Sequence, residues 1–199
     1  MEKSSLKDPI KLMVIGGSAG SLDVILRALP DVSTDVSFPV VIVLHRKSSF
    51  DSALADLFGT KTRIIVKEAE EKELLTPGCI YLAPADYHLL IEKDHTLSID
   101  YSERVHYSRP SIDVTFETAA EAYGSTLAAV LLSGANADGA EGLLRVQEAG
   151  GITAVQDPAT AEVGYMPAQA MARMKVDHIL SAPELASFIN KLSGDSRSL

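Results

Sequence analysis

The chain alternates between short, strand-like, largely apolar runs and longer stretches in which apolar residues return every three or four positions. Runs of the first kind lie at 11–16 (KLMVIG), 39–44 (PVVIVL), 62–67 (TRIIVK), 127–132 (LAAVLL), 152–155 (ITAV) and 178–180 (HIL). Several are continuously apolar, as expected for strands buried on both faces of a parallel sheet. Between them, Leu22, Ile25, Leu26 and Leu29 fall at i, i+3, i+4 and i+7, one face of a helix, and Leu185, Phe188, Ile189 and Leu192 repeat the pattern. Strands separated by such helices predict right-handed βαβ units and an α/β fold. Residues 79–101 break the alternation. They read as three short strands joined by turns at Pro84-Ala85-Asp86 and Lys93-Asp94-His95, an antiparallel ribbon at a sheet edge. The acidic run at 68–73 reads as a solvated loop.

No Gly/Ser/Pro linker, low-complexity tract or internal repeat divides the 199 residues. One domain over 10–192 is therefore expected, with an N-terminal tail (1–9) and a C-terminal tail (193–199). No apolar run approaches the roughly 20 residues of a membrane helix. The opening MEKSSLKDPI lacks the apolar stretch of a signal peptide, so the cytoplasm is the expected compartment. The single cysteine, Cys79, excludes an intramolecular disulfide and a cysteine-based zinc site, and it opens a strand where it should be buried. A net charge of -9 argues against nonspecific nucleic-acid binding, although His45-Arg46-Lys47 is locally basic.

Three turns carry candidate chemistry. Gly16-x-Ser18-x-Gly20 has the G-x-S-x-G spacing of a nucleophile elbow, a serine on a tight strand-to-helix turn. The helix beyond it would offer N–H groups to an oxyanion or a phosphate. A nucleotide-binding turn lacks support, because Ile15 occupies the place of the first glycine of G-x-G-x-x-G and no Gly-Lys-Ser/Thr follows. Tight-turn packing alone also accounts for these glycines. His45 ends the second strand and Asp138 sits in the turn after LAAVLLSG. All three lie at the carboxyl edge of the predicted sheet, where α/β proteins bind ligands. Each has a bland alternative: a structural histidine for His45, a helix N-cap for Asp138. A calcium loop around Asn136-x-Asp138 fails, because Gly134 and Arg145 would be its first and last ligands. Together they make a Ser-His-Asp set in a chain order unlike that of α/β-hydrolases. Ser111 is read as the cap of a helix over 112–123, and Arg109 as a residue that could approach the substrate. His88, His106 and Pro167 are read as structural.

These residues, with "VKEAEEKELLTPGCIYLAPADYHLLI", "SRPSIDVTFETAAEAYG", "VLLSGANADGAEGL" and "GYMPAQAM", occur in blocks whose order resembles the catalytic domain of chemotaxis protein-glutamate methylesterases, the CheB family, from about Ile10 to Leu192. The resemblance implies a three-layer α/β/α fold with a mainly parallel sheet and a small antiparallel addition. It places the family's nucleophile on Ser18, its histidine on His45 and its aspartate on Asp138. It implies hydrolysis of glutamate methyl esters on chemoreceptor cytoplasmic helices, with methanol released, glutamines deamidated in some members, and no metal or organic cofactor. Backbone N–H groups at Ala19 and Ala135 are candidates for the oxyanion hole; Arg46 and Met166 are candidates for the pocket. The family pattern is broken by Ala19 for threonine, by Arg46-Lys47 for Met-Pro and by Gly134-Ala135-Asn136 for Gly-Met-Gly. Only about ten residues stand where the family carries a receiver domain, so a separate regulatory protein is an expected partner beside the methylated receptor. Arg46 and Lys47 are expected to face an acidic receptor helix. The reading that competes with an esterase is a catalytically weak receptor- or regulator-binding module on the same fold.

Overall fold

In the computed structural model, which describes residues 8–46 and 51–194, the apolar runs form one parallel sheet. Its strands are β1 (Leu12–Gly17), β2 (Val40–Leu44), β3 (Ile65–Glu68), β4 (Cys79–Leu82), β7 (Leu127–Leu131), β8 (Ile152–Gln156) and β9 (His178–Leu180), in the spatial order β3-β4-β2-β1-β7-β8-β9. The helices are α1 (Ser21–Ala28), α2 (Asp51–Gly59), α3 (Ile112–Tyr123), α4 (Ala140–Glu148), α5 (Tyr165–Arg173) and α6 (Glu184–Gly194). Successive strand residues point to opposite faces. Met13 and Ile15 thus pack with Ile25 of α1, Phe58 of α2 and Phe188 of α6, while Leu12 and Val14 pack with Phe116 of α3, Leu143 of α4 and Ala170 of α5. Helices on both faces make the three layers.

Two features of the segment 79–101 differ from the sequence reading. β4 lies inside the parallel sheet between β3 and β2, its four residues all buried. Only β5 (His88–Ile91) and β6 (Leu97–Asp100) form an antiparallel pair, and that pair packs on α3 rather than at a sheet edge. Thr115 Oγ1 donates to Leu89 O at 2.7 Å, and Ile91 N–H donates to Thr118 Oγ1 at 3.1 Å. Further along the sheet, β3 begins only at Ile65 because Thr62 Oγ1 accepts the Ile64 N–H and turns the chain. The acidic run is partly tied down as well. Glu73 pairs with Lys67 at 2.7 Å, and a Glu71 carboxylate oxygen accepts the Ile99 N–H at 2.7 Å. At the other end of the chain α6 continues through Ser193, whose Oγ accepts the Ser37 N–H.

The strand order positions the site. β2, β1 and β7 are neighbours, and the chain leaves β1 towards β2 on one side and reaches β7 on the other. A crevice forms at such a switch point, outside the carboxyl ends of the strands. Ser18, His45 and Asp138 follow those three strands.

Candidate active site

The turn after β1 is held in shape by buried serines. Ser18 N–H donates to Ser133 O (2.9 Å) and to Ser21 Oγ (3.0 Å), and the Ser21 hydroxyl donates to Ser133 O (2.6 Å). Ser133 Oγ donates in turn to Ala19 O at 2.6 Å, and its N–H is fixed by Gln156 Oε1 at 3.0 Å. Gly20 begins α1 with φ 84°, a left-handed conformation that costs a side-chain-bearing residue energy. Sequence reasoning passed over Ser21, Ser133 and Gln156. Their one signal is a polar residue inside or at the end of a buried element.

His45 N–H continues the ladder by donating to Gly17 O at 3.1 Å. Its ring Nε2 stands 2.6 Å from Asp138 Oδ2. Ser18 and His45 line one cleft of about 280 Å³ with Leu22, Leu44, Arg46, Ala53, Leu54 and Leu57. The Ser18 hydroxyl makes no hydrogen bond to His45 among the described residues.

Asp138 is wholly buried and fully satisfied. Oδ1 accepts from Ser111 Oγ (2.8 Å) and Asp113 N–H (3.0 Å); Oδ2 accepts from Ile112 N–H (2.7 Å) and from His45. Burial pushes its pKa up. The bonds from His45 and from the Asp113 and Ile112 N–H groups outweigh burial and hold the carboxyl below its ordinary value. An ionised Asp138 places the ring proton on Nε2 and leaves His45 Nδ1 as the proton acceptor.

The supporting residues fall into place around this pair. Ser111 caps α3 by accepting the Val114 N–H while donating to Asp138. His88 is buried, with Nδ1 accepting the Ser111 N–H (3.1 Å) and Nε2–H donating to Glu103 O (2.8 Å), which fixes a neutral tautomer. Arg109 does not reach the cleft. Its guanidinium binds Asp86 (3.0 Å) and Ser102 O (2.8 Å) and lies 3.8 Å over the Tyr101 ring. His106 Nε2 lies 3.3 Å from Asp113 Oδ2. Burial pushes the Cys79 thiol up. Pro167 is buried in the first turn of α5.

The pocket candidates divide. Ala19 and Ala135 are exposed, and the N–H of each lacks a protein partner among the described residues. Arg46 lines the cleft, but its guanidinium is turned onto Ala83 O (3.0 Å) and Glu68 (3.5 Å), so it does not present the expected basic face. Lys47 lies outside the described residues. Met166 is buried beneath Gly134 and not among the cleft-lining side chains.

Comparison with known proteins bears on the fold and the family. Residues 13–189 match the family described as CheB methylesterase. A Leptospira interrogans relative is 46% identical over 180 residues, covering 90% of this chain and 93% of that one. A Thermotoga maritima protein-glutamate methylesterase/protein-glutamine glutaminase is 35% identical over 178 residues, 86% of this chain and 51% of that one. The crystal structure of the Thermotoga maritima CheB methylesterase catalytic domain superposes with a TM-score of 0.87 at 31% identity, covering 92% of this chain and 98% of that chain. The matches run through β1 to α6 and take in all three turns at the carboxyl edge, so the chain belongs to the CheB methylesterase family.

Proposed function

We propose that the protein removes methyl esters from glutamate side chains of chemoreceptor cytoplasmic helices, with Ser18, His45 and Asp138 as its catalytic set. One observation carries the assignment of residues: the 2.6 Å bond from His45 to a buried, fully hydrogen-bonded carboxylate, beside a cleft that also holds Ser18. In the first step His45 Nδ1 takes the Ser18 proton as Oγ attacks the ester carbonyl. The imidazolium that forms is stabilised by Asp138, then gives its proton to the departing methoxide, which leaves as methanol. Water attacks the acyl-enzyme with His45 again as base and restores glutamate and free Ser18. A glutamine side chain would enter the same sequence and release ammonia, in keeping with the paired activities in the Thermotoga relative's name.

The Ser18 N–H is consumed by Ser133 O and Ser21 Oγ, so it does not serve the oxyanion. The Ala19 and Ala135 N–H groups are the donors this reading assigns, each contributing about 3 kcal/mol to the transition state. The Ser18–His45 hydrogen bond is expected to form in the Michaelis complex, where catalytic hydrogen bonds tighten.

Methanol release from methyl-esterified receptor fragments tests the reading. Wild type should release methanol and Ser18→Ala should not. A wild type silent on several receptors, yet binding them, would favour the binding-module alternative. Among the described residues no helix is long and apolar enough to cross a membrane.

A further inference from the structure

A second carboxylate stands directly behind Asp138. Asp113, in the first turn of α3, is buried with its Oδ1 accepting two N–H groups from across the interface, Gly139 at 2.9 Å and Gly142 at 2.6 Å. Those donors belong to the N-terminus of α4. Asp138, in the segment leading into α4, accepts in return the Ile112 and Asp113 N–H groups at the N-terminus of α3. Each helix start is thus capped by the carboxylate belonging to the other, and neither Asp138 nor Gly139 caps α4 by a side chain.

The arrangement is not the one stability alone would choose. Asp113 Oδ2 is buried and accepts no hydrogen bond among the described residues; His106 Nε2, at 3.3 Å, lacks the geometry for one. A buried acceptor left unsatisfied costs free energy and calls for an explanation. Two carboxyl groups are also brought together at the root of the same two helices, which burial and mutual repulsion oppose.

We infer that Asp113 is a positioning residue for the catalytic site: with Asp138 it clasps the starts of α3 and α4 together and so holds the Asp138 carboxylate on His45. The Asp138 side chain has no freedom of its own, because its backbone neighbour Gly139 is tied to Asp113 and its oxygens are tied to the Ile112 and Asp113 backbone. Loss of the Asp113 side chain releases the Gly139 and Gly142 N–H groups and lets the turn carrying Asp138 shift relative to His45. A displacement well under 1 Å weakens a 2.6 Å charged bond and misplaces the imidazole.

The inference rests on the esterase reading, and the experiment separates the two. Ser18 labelling by a serine-directed phosphonate is followed together with steady-state methanol release. Asp113→Ala should lower kcat and the labelling rate about 10- to 100-fold, the range seen when a partner that orients a functional group is removed, with KM within about 2-fold. Asp113→Asn, whose amide oxygen can accept both N–H bonds, should recover kcat to within about 3-fold of wild type. In an Asp138→Asn background, Asp113→Ala should cost less than about 2-fold more, because the residue acts through Asp138. Should Asp113→Ala fail to fold, Asp113→Ser provides the same comparison. A folded Ala or Ser variant with wild-type kcat, a loss confined to KM, a loss that Asn does not recover, or an equal loss in both backgrounds would overturn the inference. Wild type that resists labelling at Ser18 would overturn the esterase reading and this inference with it.

Discussion

Replacing Asp113 with Asn also tests the electrostatics of the two carboxylates, through stability rather than rate. Burial, followed by the nearby Asp138 charge, raises the Asp113 pKa from 3.8 to about 6 against the opposing Gly142 hydrogen bond and His106. The folded protein therefore holds a proton on Asp113 in a pH range where the unfolded chain has released it. The resulting stabilisation is complete below about pH 3.8 and is lost as pH rises through about 6. Two pKa units at 1.36 kcal/mol each make this about 3 kcal/mol. Asn does not titrate and keeps the acceptor for Gly139 and Gly142. The difference in unfolding free energy, Asp113→Asn variant minus wild type, should rise by about 2 kcal/mol between pH 4 and pH 7. Asp138 is present in both proteins, so its own titration largely cancels, and what coupling remains acts below pH 4. Urea denaturation at half-unit pH steps measures the difference directly. A difference flat to within about 1 kcal/mol over that range would refute the claim that Asp113 is held near-neutral by its surroundings.

Two further substitutions probe the same site from other sides. Ser111→Ala removes the α3 cap and one of the four bonds to Asp138; a loss of about 2 kcal/mol by denaturant unfolding at pH 7 is expected. Because the lowered Asp138 pKa stabilises the fold above its unfolded value and is lost as pH falls, the acid limb of that variant should move to higher pH. Gly134→Ala places a Cβ against the end of Met166 and 3.0 Å from Ser18 Cβ. Met166 can yield, so the stability cost should stay near about 1 kcal/mol while kcat for methanol release falls at least about 10-fold; an unchanged kcat would show that Ser18 tolerates displacement.

Much of the framework is legible because burial leaves a local imprint. A strand covered on both faces is largely apolar, so β1, β2, β7 and β8 announce themselves within a residue or two at either end. A turn that follows such a strand must emerge at the sheet's carboxyl edge, and that alone puts Ser18, His45 and Asp138 on one rim. β4 shows the limit. CIYL carries the same unbroken signature, but the turn at Pro84-Ala85-Asp86 joins it to a hairpin, and nothing local says that its partner is β2, far back in the chain. Strand pairing is decided by which apolar faces remain uncovered after the rest has packed, and a local pattern does not contain that.

Asp138 shows the same limit inside the site. Its place just before a helix fits an N-cap, and its chemistry does cap a helix, only not the one it precedes. The carboxylate caps α3 through Ile112 and Asp113, while α4 receives its cap from Asp113. The exchange is possible because Gly142 lets α4 approach so closely that a Cβ there would lie 2.7 Å from Phe116 Cβ and 2.9 Å from Asp113 Cα. A carboxylate spent on its own helix would point along α4 and away from β2. One spent on α3 lies between that helix and the end of β2, where His45 meets it. The bland reading of Asp138 as a cap and the sharp reading as a partner of His45 are therefore one structural fact, and the loss of either carboxyl side chain to Ala should disturb both.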